Sequence, residues 1–548
     1  MRFATPRLGS RVTRIIATLG LVAGVVAFNA PPAGATAVDS VSTGAVHACV
    51  VTSGGGVKCW GYNDTGMIGD GTRGDRKTPV AVTGLSSGVS DVQAAWDHTC
   101  ALTNGGGVKC WGHNGDGELG DGTRIQRNEP VDVNTLHSGV RAISLGFDSG
   151  CALTTGGGVK CWGYNGNGQL GDGTRSTRKN PVDVFGLASG IDAISAGWDH
   201  TCALTSGGGV KCWGNNAHGE LGNGTRIDAL KPVDVVGLGS GVAAVSAGFD
   251  HTCALLNSGG VKCWGNNATG ELGDGTATSH RKPVNVVGLS NVASISAGFD
   301  HTCSVGTGGG AKCWGNNASG ELGDGTTTTR YKATSVYRST SGVDSISAGG
   351  WKRAGLTCLL TTSGAVKCFG ANHGVSGLEP IASHGGQIGD GTTADRHIPI
   401  AVRGLTGSSP RFRPDNAISK FSGGGYIGND IYNKSGKNQT RAASVAPGGK
   451  TRLYIKVQND AKVTDSFFIK GTGPVNGFGV AYAIGGKNIK PAVIGGTYWL
   501  TLAPGATKTI VVTVSAGSGA SGQVGVKVSA RSAGNSAKMD LVKGIVSI

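Results

Sequence analysis

Cys202-Ala-Leu-Thr-Ser-Gly-Gly-Gly-Val-Lys-Cys212 reads as a β-hairpin stapled by its own two cysteines. With Ser206-Gly207-Gly208 as a three-residue loop, glycine supplies the positive φ that such a loop requires. Thr205 then faces Gly209, Leu204 faces Val210, Ala203 faces Lys211, and Cys202 faces Cys212. Directly opposed residues at a non-hydrogen-bonded antiparallel site have Cα atoms about 4.5 Å apart. That separation lies inside disulfide range, near its short end.

The same eleven-residue frame occurs seven times. Its cysteines pair as Cys49 with Cys59, Cys100 with Cys110, Cys151 with Cys161, Cys202 with Cys212, Cys253 with Cys263, Cys303 with Cys313, and Cys358 with Cys368. The first members follow one another by 51, 51, 51, 51, 50 and 55 residues, and these 14 are all the cysteines of the chain. One module repeated seven times is the simplest source of such a pattern. Around the hairpin, the module at 191–238 opens with the apolar run Ile191-Asp-Ala-Ile-Ser-Ala-Gly197. After the hairpin come Trp213-Gly214, the turn-rich Asn215-Asn-Ala-His-Gly-Glu-Leu-Gly-Asn-Gly-Thr225, and Pro232-Val-Asp-Val-Val-Gly-Leu238. Four short strands in about 50 residues make one propeller blade. The 100 glycines recur at fixed places in the module and mark turns rather than low complexity. The fold expected is therefore all-β, a seven-bladed β-propeller over 38–407 carrying seven intra-hairpin disulfides.

The motifs H-T-C-A-L-T, G-G-G-V-K-C-W-G-x-N and G-E-L-G-D-G-T, in phase over seven modules, resemble the regulator of chromosome condensation repeat. The resemblance covers 38 to about 407, two-thirds of the chain. It implies a seven-bladed ring whose faces bind other proteins. The family's guanine-nucleotide exchange activity is not expected here, because the N-terminus and the paired cysteines place the chain outside the cell.

Arg2, Arg7, Arg11 and Arg14, the apolar run 15–28 and Ala35-Thr36-Ala37 have the form of a secretory signal peptide over 1–37. No run after it approaches the ~18 apolar residues of a membrane-spanning helix. The formal net charge is +15. Residues 411–548 hold 18 Lys or Arg, 5 Asp and no Glu, a net of +13. Here cysteine disappears, and period-two runs appear at Thr451–Val457, Asp465–Lys470, Thr497–Leu502, Lys508–Val514 and Gly525–Ser529. They read as a β-sandwich, similar to the immunoglobulin-like accessory domains of secreted bacterial proteins. Its charge suits an anionic cell-envelope polymer.

Asp97-His98, Asp199-His200, Asp250-His251 and Asp300-His301 recur at one position. Chemistry needs a site once, so a structural hydrogen-bonding role is expected. The loop Asn266–Thr276 is oxygen-rich but lacks the acidic spacing of a calcium loop, and turn structure is expected of it. Trp60, Trp111, Trp162, Trp213, Trp264 and Trp314, with Phe369 in the seventh copy, are expected to pack between blades, with a sugar-binding ring as the alternative. The seventh module departs from the repeat at Gly350–Gly355 and at His373–Gly385. Function is often grafted where a repeat is broken. Trp351, Lys352, Arg353, His373, Glu379 and His384 are therefore the expected partner-binding edge. The reading is a secreted or cell-surface, non-enzymatic protein with no cofactor, no metal and no nucleic-acid partner. Its ligand is expected to be an extracellular enzyme or surface protein, with carbohydrate binding as the alternative.

Overall fold

A computed structural model describes residues 36–351, 354–376 and 379–407, and, between 414 and 547, ten strand segments. The proposed signal peptide lies outside the described residues except for Thr36 and Ala37. Among the described residues every helix-or-strand element is a strand, and no helix is long and apolar enough to cross a membrane.

The cysteine frame folds as its sequence dictates. Cys202 pairs with Cys212, Ala203 with Lys211 and Leu204 with Val210. The tip is closed by Gly208 N–H donating to the Thr205 carbonyl at 2.8 Å, with Gly208 at φ +79°. In the seventh copy Gly364 takes the same place, with φ +80°. All seven expected disulfides are formed within their own hairpins. Cys49 is bonded to Cys59, Cys100 to Cys110, Cys151 to Cys161 and Cys202 to Cys212. Cys253 is bonded to Cys263, Cys303 to Cys313 and Cys358 to Cys368. Each pair has Cα atoms 4.1 Å apart, as directly opposed residues require.

Each module contributes one four-stranded antiparallel sheet, giving seven. The first blade is Val38–Thr43, His47–Thr52, Val57–Gly61 and Arg76–Ala81. The seventh is Val343–Trp351, Ala354–Thr361, Ala365–Gly370 and Arg396–Thr406. Six blades consist of consecutive strands, and blade seven is interrupted only by the pair His373–Ser376 and Glu379–Gly385, so no blade is shared between the two ends of the propeller, which the in-phase modules had left open. Closure instead uses the packing found at other junctions. Val38, Ala48, Val50 and Trp60 of blade one interlock with Leu356, Leu360, Val366, Ile388 and Val402 of blade seven.

The repeated tryptophans are the bolts between blades. All six are fully buried, and each indole N–H donates to a backbone carbonyl of the preceding blade. Trp213 reaches Gln169 at 2.9 Å, Trp264 reaches Glu220 at 2.7 Å, and Trp60 reaches Gln387 at 2.8 Å across the closure. Burial removes them from the sugar-binding role weighed above. The glycine of G-E-L-G makes room for the ring. Gly222 sits at φ +63°, and a Cβ there would lie 2.7 Å from the Trp264 indole nitrogen. Gly222→Ala combines an unfavourable backbone conformation with overpacking, and is expected to cost about 2–4 kcal/mol. Chemical denaturation checks this, with Gly288→Ala, where a Cβ would meet open space, as the positive-φ control.

The oxygen-rich turns are organised by an asparagine. Asn267 donates from its amide to the Asp274 carboxylate and to the Thr276 and Thr278 carbonyls, while its oxygen accepts from Leu272 N–H. Asp274 also accepts from Thr276. The loop's oxygens are thus used internally, as turn structure requires.

Between 414 and 547 the strands form two five-stranded sheets. Pro414–Ser419 of one lies against Gln523–Ser532 and Met539–Ser547 of the other, the layering of a β-sandwich. The five alternating runs fall in strands, apart from Thr497, which lies outside the described residues. Val480, Tyr482, Ile510, Val512 and Val514 are buried at alternate positions, as one covered sheet face demands.

Candidate functional site

Antiparallel strands alternate direction, so each propeller face collects its own loops. The disulfide hairpin tips lie on one face. On the other lie the turns between the first and second strands and the long loops between the third and fourth. Small residues near the ends of most first strands, Ala94, Ala196, Ala247, Ala297 and Ala348, line an axial cavity of about 140 Å³.

Over this cavity the chain places one aromatic residue per blade: Trp96, Phe147, Trp198, Phe249, Phe299 and Trp351, with Ala45 in blade one. The rings form one cluster. Phe147 stacks on Trp198 with centroids 3.5 Å apart, Phe249 on Phe299 at 3.9 Å, and Trp198 on Trp351 at 4.6 Å. Trp96 meets Trp351 edge-on at 3.8 Å. All six are half-buried. The sequence reading missed five of them, although their signal is plain: an aromatic four residues before the first cysteine in blades two to six.

An aspartate follows the aromatic in each of those blades: Asp97, Asp148, Asp199, Asp250 and Asp300. A second set, Glu118, Glu220, Glu271 and Glu321, comes from the long loops and is buried. Burial raises most of these carboxyls. Asp199 stands at about 6, Asp250 at about 7, and Glu220 and Glu321 at about 7. Five of the seven blades thus place carboxyl groups beside the aromatic cluster.

Beneath the aspartates, histidine ties blade to blade. His47 Nε2 bonds Thr99 Oγ1 at 2.7 Å, and His200–Thr252, His251–Thr302 and His301–Thr357 repeat this at 2.8 Å. These imidazoles are neutral because burial lowers them, to about 3 for His200 and about 4 for His251. A histidine whose folded value is depressed contributes stability that is present above its unfolded value, ~6.5, and lost as pH falls toward the folded one. Between pH 6 and 4 the protein should therefore lose about 1.4 kcal/mol per pH unit that His200→Gln does not lose. Paired denaturation curves at several pH values read this difference directly.

The His–Thr pattern fails at blade three, where Ser149 and Gly150 replace His and Thr. His98 is left fully buried with neither ring nitrogen hydrogen-bonded. Beside it Asp97, His113, Glu118 and Asp148 converge, each offering a ligand atom within 4.8 Å of the others. His113 Nδ1 makes a short bond to Glu118 and lies 3.5 Å from Asp97. The Glu118 bond, against burial, raises His113 to about 9. Burial, then the neighbouring Asp97 and Glu118 charges, pushes Asp148 up to about 8.

Of the expected edge in blade seven, Trp351 joins the aromatic cluster. His373 bonds Asp395 at 2.8 Å. Glu379 and His384 lie on a strand, Glu379–Gly385, that pairs with His373–Ser376. Their side chains, and Lys352 and Arg353 altogether, lie outside the described residues.

The sequence profile of one family, described as the RCC1-like domain, matches residues 16–354. The chain is similar to the ultraviolet-B receptor UVR8 of Arabidopsis thaliana, with 34% identity over 257 residues, 46% of this chain and 58% of that protein. It is similar at 34% over 257 residues to the human E3 ubiquitin-protein ligase HERC2, of which it spans 5%. These relatives are thus matched over just over half, or a small part, of their length. Among solved structures, yeast RCC1 (Prp20) bound to Kap60 superposes with a TM-score of 0.50 at 24% identity, covering 57% of this chain and 78% of that one. At that identity the likeness speaks for the fold alone.

Proposed function

The chain belongs to the RCC1-like domain family, and we propose that it is an exported, non-enzymatic binding propeller whose aromatic face engages another protein. One observation carries this reading: six half-buried aromatic rings gathered on the axis of one face, flanked by carboxyl groups from five blades. Tryptophan at the centre of a patch is the commonest binding hot spot, and carboxylates around aromatic faces favour cationic groups. The partner therefore presents lysine or arginine at its tip, either as an extracellular enzyme or as a surface protein.

Export is supported by seven disulfides, which persist in oxidising compartments, and by the form of residues 1–37. Residues 411–548, read as an immunoglobulin-like accessory unit of net charge +13, would hold the protein near an anionic envelope polymer. The test compares proteins captured from the host's extracellular fraction by the wild type and by Trp198→Ala, alongside a glycan array. A protein retained by the wild type and lost by the variant supports the reading. Glycan binding that depends on Trp198, with no protein retained, replaces it with the carbohydrate alternative.

A further inference from the structure

The seven-fold repeat supplies its own controls, and the junction of blades two and three combines two departures from it. At the x of W-G-x-N the blades carry Tyr62, His113, Tyr164, Asn215, Asn266, Asn316 and, after Phe-Gly, Ala371. Histidine occupies this place in blade two alone. The same junction lacks the interblade His–Thr bond, because Gly150 stands where Thr252 or Thr302 stands elsewhere.

We propose that Asp97, His113, Glu118 and Asp148 bind one divalent transition-metal ion, with Zn²⁺ as the fitting ion, and that this ion pins blade two to blade three. Three ligands come from two loops of blade two and the fourth from blade three. Their ligand atoms already lie within 4.8 Å of one another. A tetrahedral zinc site, with metal–ligand distances of ~2.0–2.2 Å, sets its ligand atoms about 3.4 Å apart, so the widest pair closes by up to about 1.4 Å on binding. One imidazole among three carboxylates is a mixed nitrogen and oxygen donor set, which suits zinc or manganese rather than calcium or magnesium.

A second observation, independent of the acidic cluster, points the same way. His98 is 0% exposed, both its ring nitrogens lack a hydrogen-bond partner, and its Nδ1 lies 3.8 Å from Asp97 Oδ1. Asp97 Oδ1 is itself buried without a partner. A buried imidazole and a buried carboxylate oxygen left open side by side are costly. An ion that draws Asp97 into its shell lets His98 act as the outer partner orienting that carboxylate. The ion does at this junction what the His–Thr bond does at four others.

Blade four holds the matching set Asp199, Asn215 and Glu220, with Asp250 from blade five. His113→Asn therefore installs a residue that blades four to six carry at this place. The full-length protein, stripped with chelator, is titrated with Zn²⁺ by calorimetry, and separately with Ca²⁺ and Mg²⁺. The expected result is one Zn²⁺ per chain, at least about 100-fold weaker binding in His113→Asn and in Asp148→Asn, and unchanged binding in Asp250→Asn. Zn²⁺ should raise the melting temperature of the wild type and not that of His113→Asn. Absence of stoichiometric Zn²⁺ binding by the wild type overturns the proposal. So does equal Zn²⁺ affinity in His113→Asn, or a preference for Ca²⁺ that His113→Asn leaves intact.

Discussion

Opening all seven disulfides unfolds the propeller. Each bridge closes a loop of its own, with a sequence separation of 10, so the loops do not overlap and their contributions add. A loop of that length is worth about 2–3 kcal/mol in the chain-entropy account. Seven together, about 14–21 kcal/mol, match or exceed the ~5–15 kcal/mol net stability typical of a folded domain. The single-pair variant, Cys202→Ala with Cys212→Ala, is expected to lose at least about 2–3 kcal/mol. All fourteen sulfurs belong to fully buried residues, so a phosphine reductant acts slowly on the native protein and quickly once mild denaturant opens the blades. Circular dichroism with thiol counting follows both. A fully reduced protein with the oxidised protein's denaturation midpoint would show that inter-blade packing alone holds the ring.

Removing the central indole is expected to weaken binding to the proposed partner while leaving the fold. Trp198 contacts Trp96, Phe147, Phe249, Phe299 and Trp351, so its loss also loosens its neighbours. Hot-spot tryptophans cost about 2 kcal/mol or more on truncation, which is roughly 30-fold or more in affinity. Trp198→Ala combined with Trp351→Ala should exceed ~100-fold, because both faces of the stack go. Substituting Asp250 by Lys reverses a charge beside the aromatic cluster, and should slow association and invert its salt dependence. Titration calorimetry and binding kinetics against the captured partner separate these effects. Affinity unchanged in the double variant would place the interface elsewhere.

The blade was legible because its staple is written locally. Ten residues from cysteine to cysteine, with glycines at the midpoint, fix loop length and register within one hairpin, and seven copies fix the number of blades. The Trp-Gly positions were legible as inter-blade packing for the same reason: they repeat wherever a blade meets its predecessor. The axial cluster was harder to see. Trp96, Phe147, Trp198, Phe249 and Phe299 are 51 residues apart or nearly so, and a circle brings them together only once the fold is known. The junction of blades two and three was harder still, since it depends on a repeat breaking at Ser149-Gly150 and on His113 replacing a tyrosine or asparagine. Departures from the repeat in blade seven drew attention by length. The single-residue departures in blades two and three change nothing in length, and carry chemistry instead.

The most direct test of a protein-binding aromatic face is site-specific photo-crosslinking in the native extracellular fraction. A photoreactive residue replaces His218, exposed on the aromatic face with its imidazole 3.8 Å from Asp250. In a second protein it replaces Asn257, exposed at a disulfide hairpin tip on the other face. The predicted result is one discrete protein adduct from position 218, absent when Trp198→Ala is added, and none from position 257. An adduct from 257 alone, or one from 218 that survives Trp198→Ala, would contradict the account.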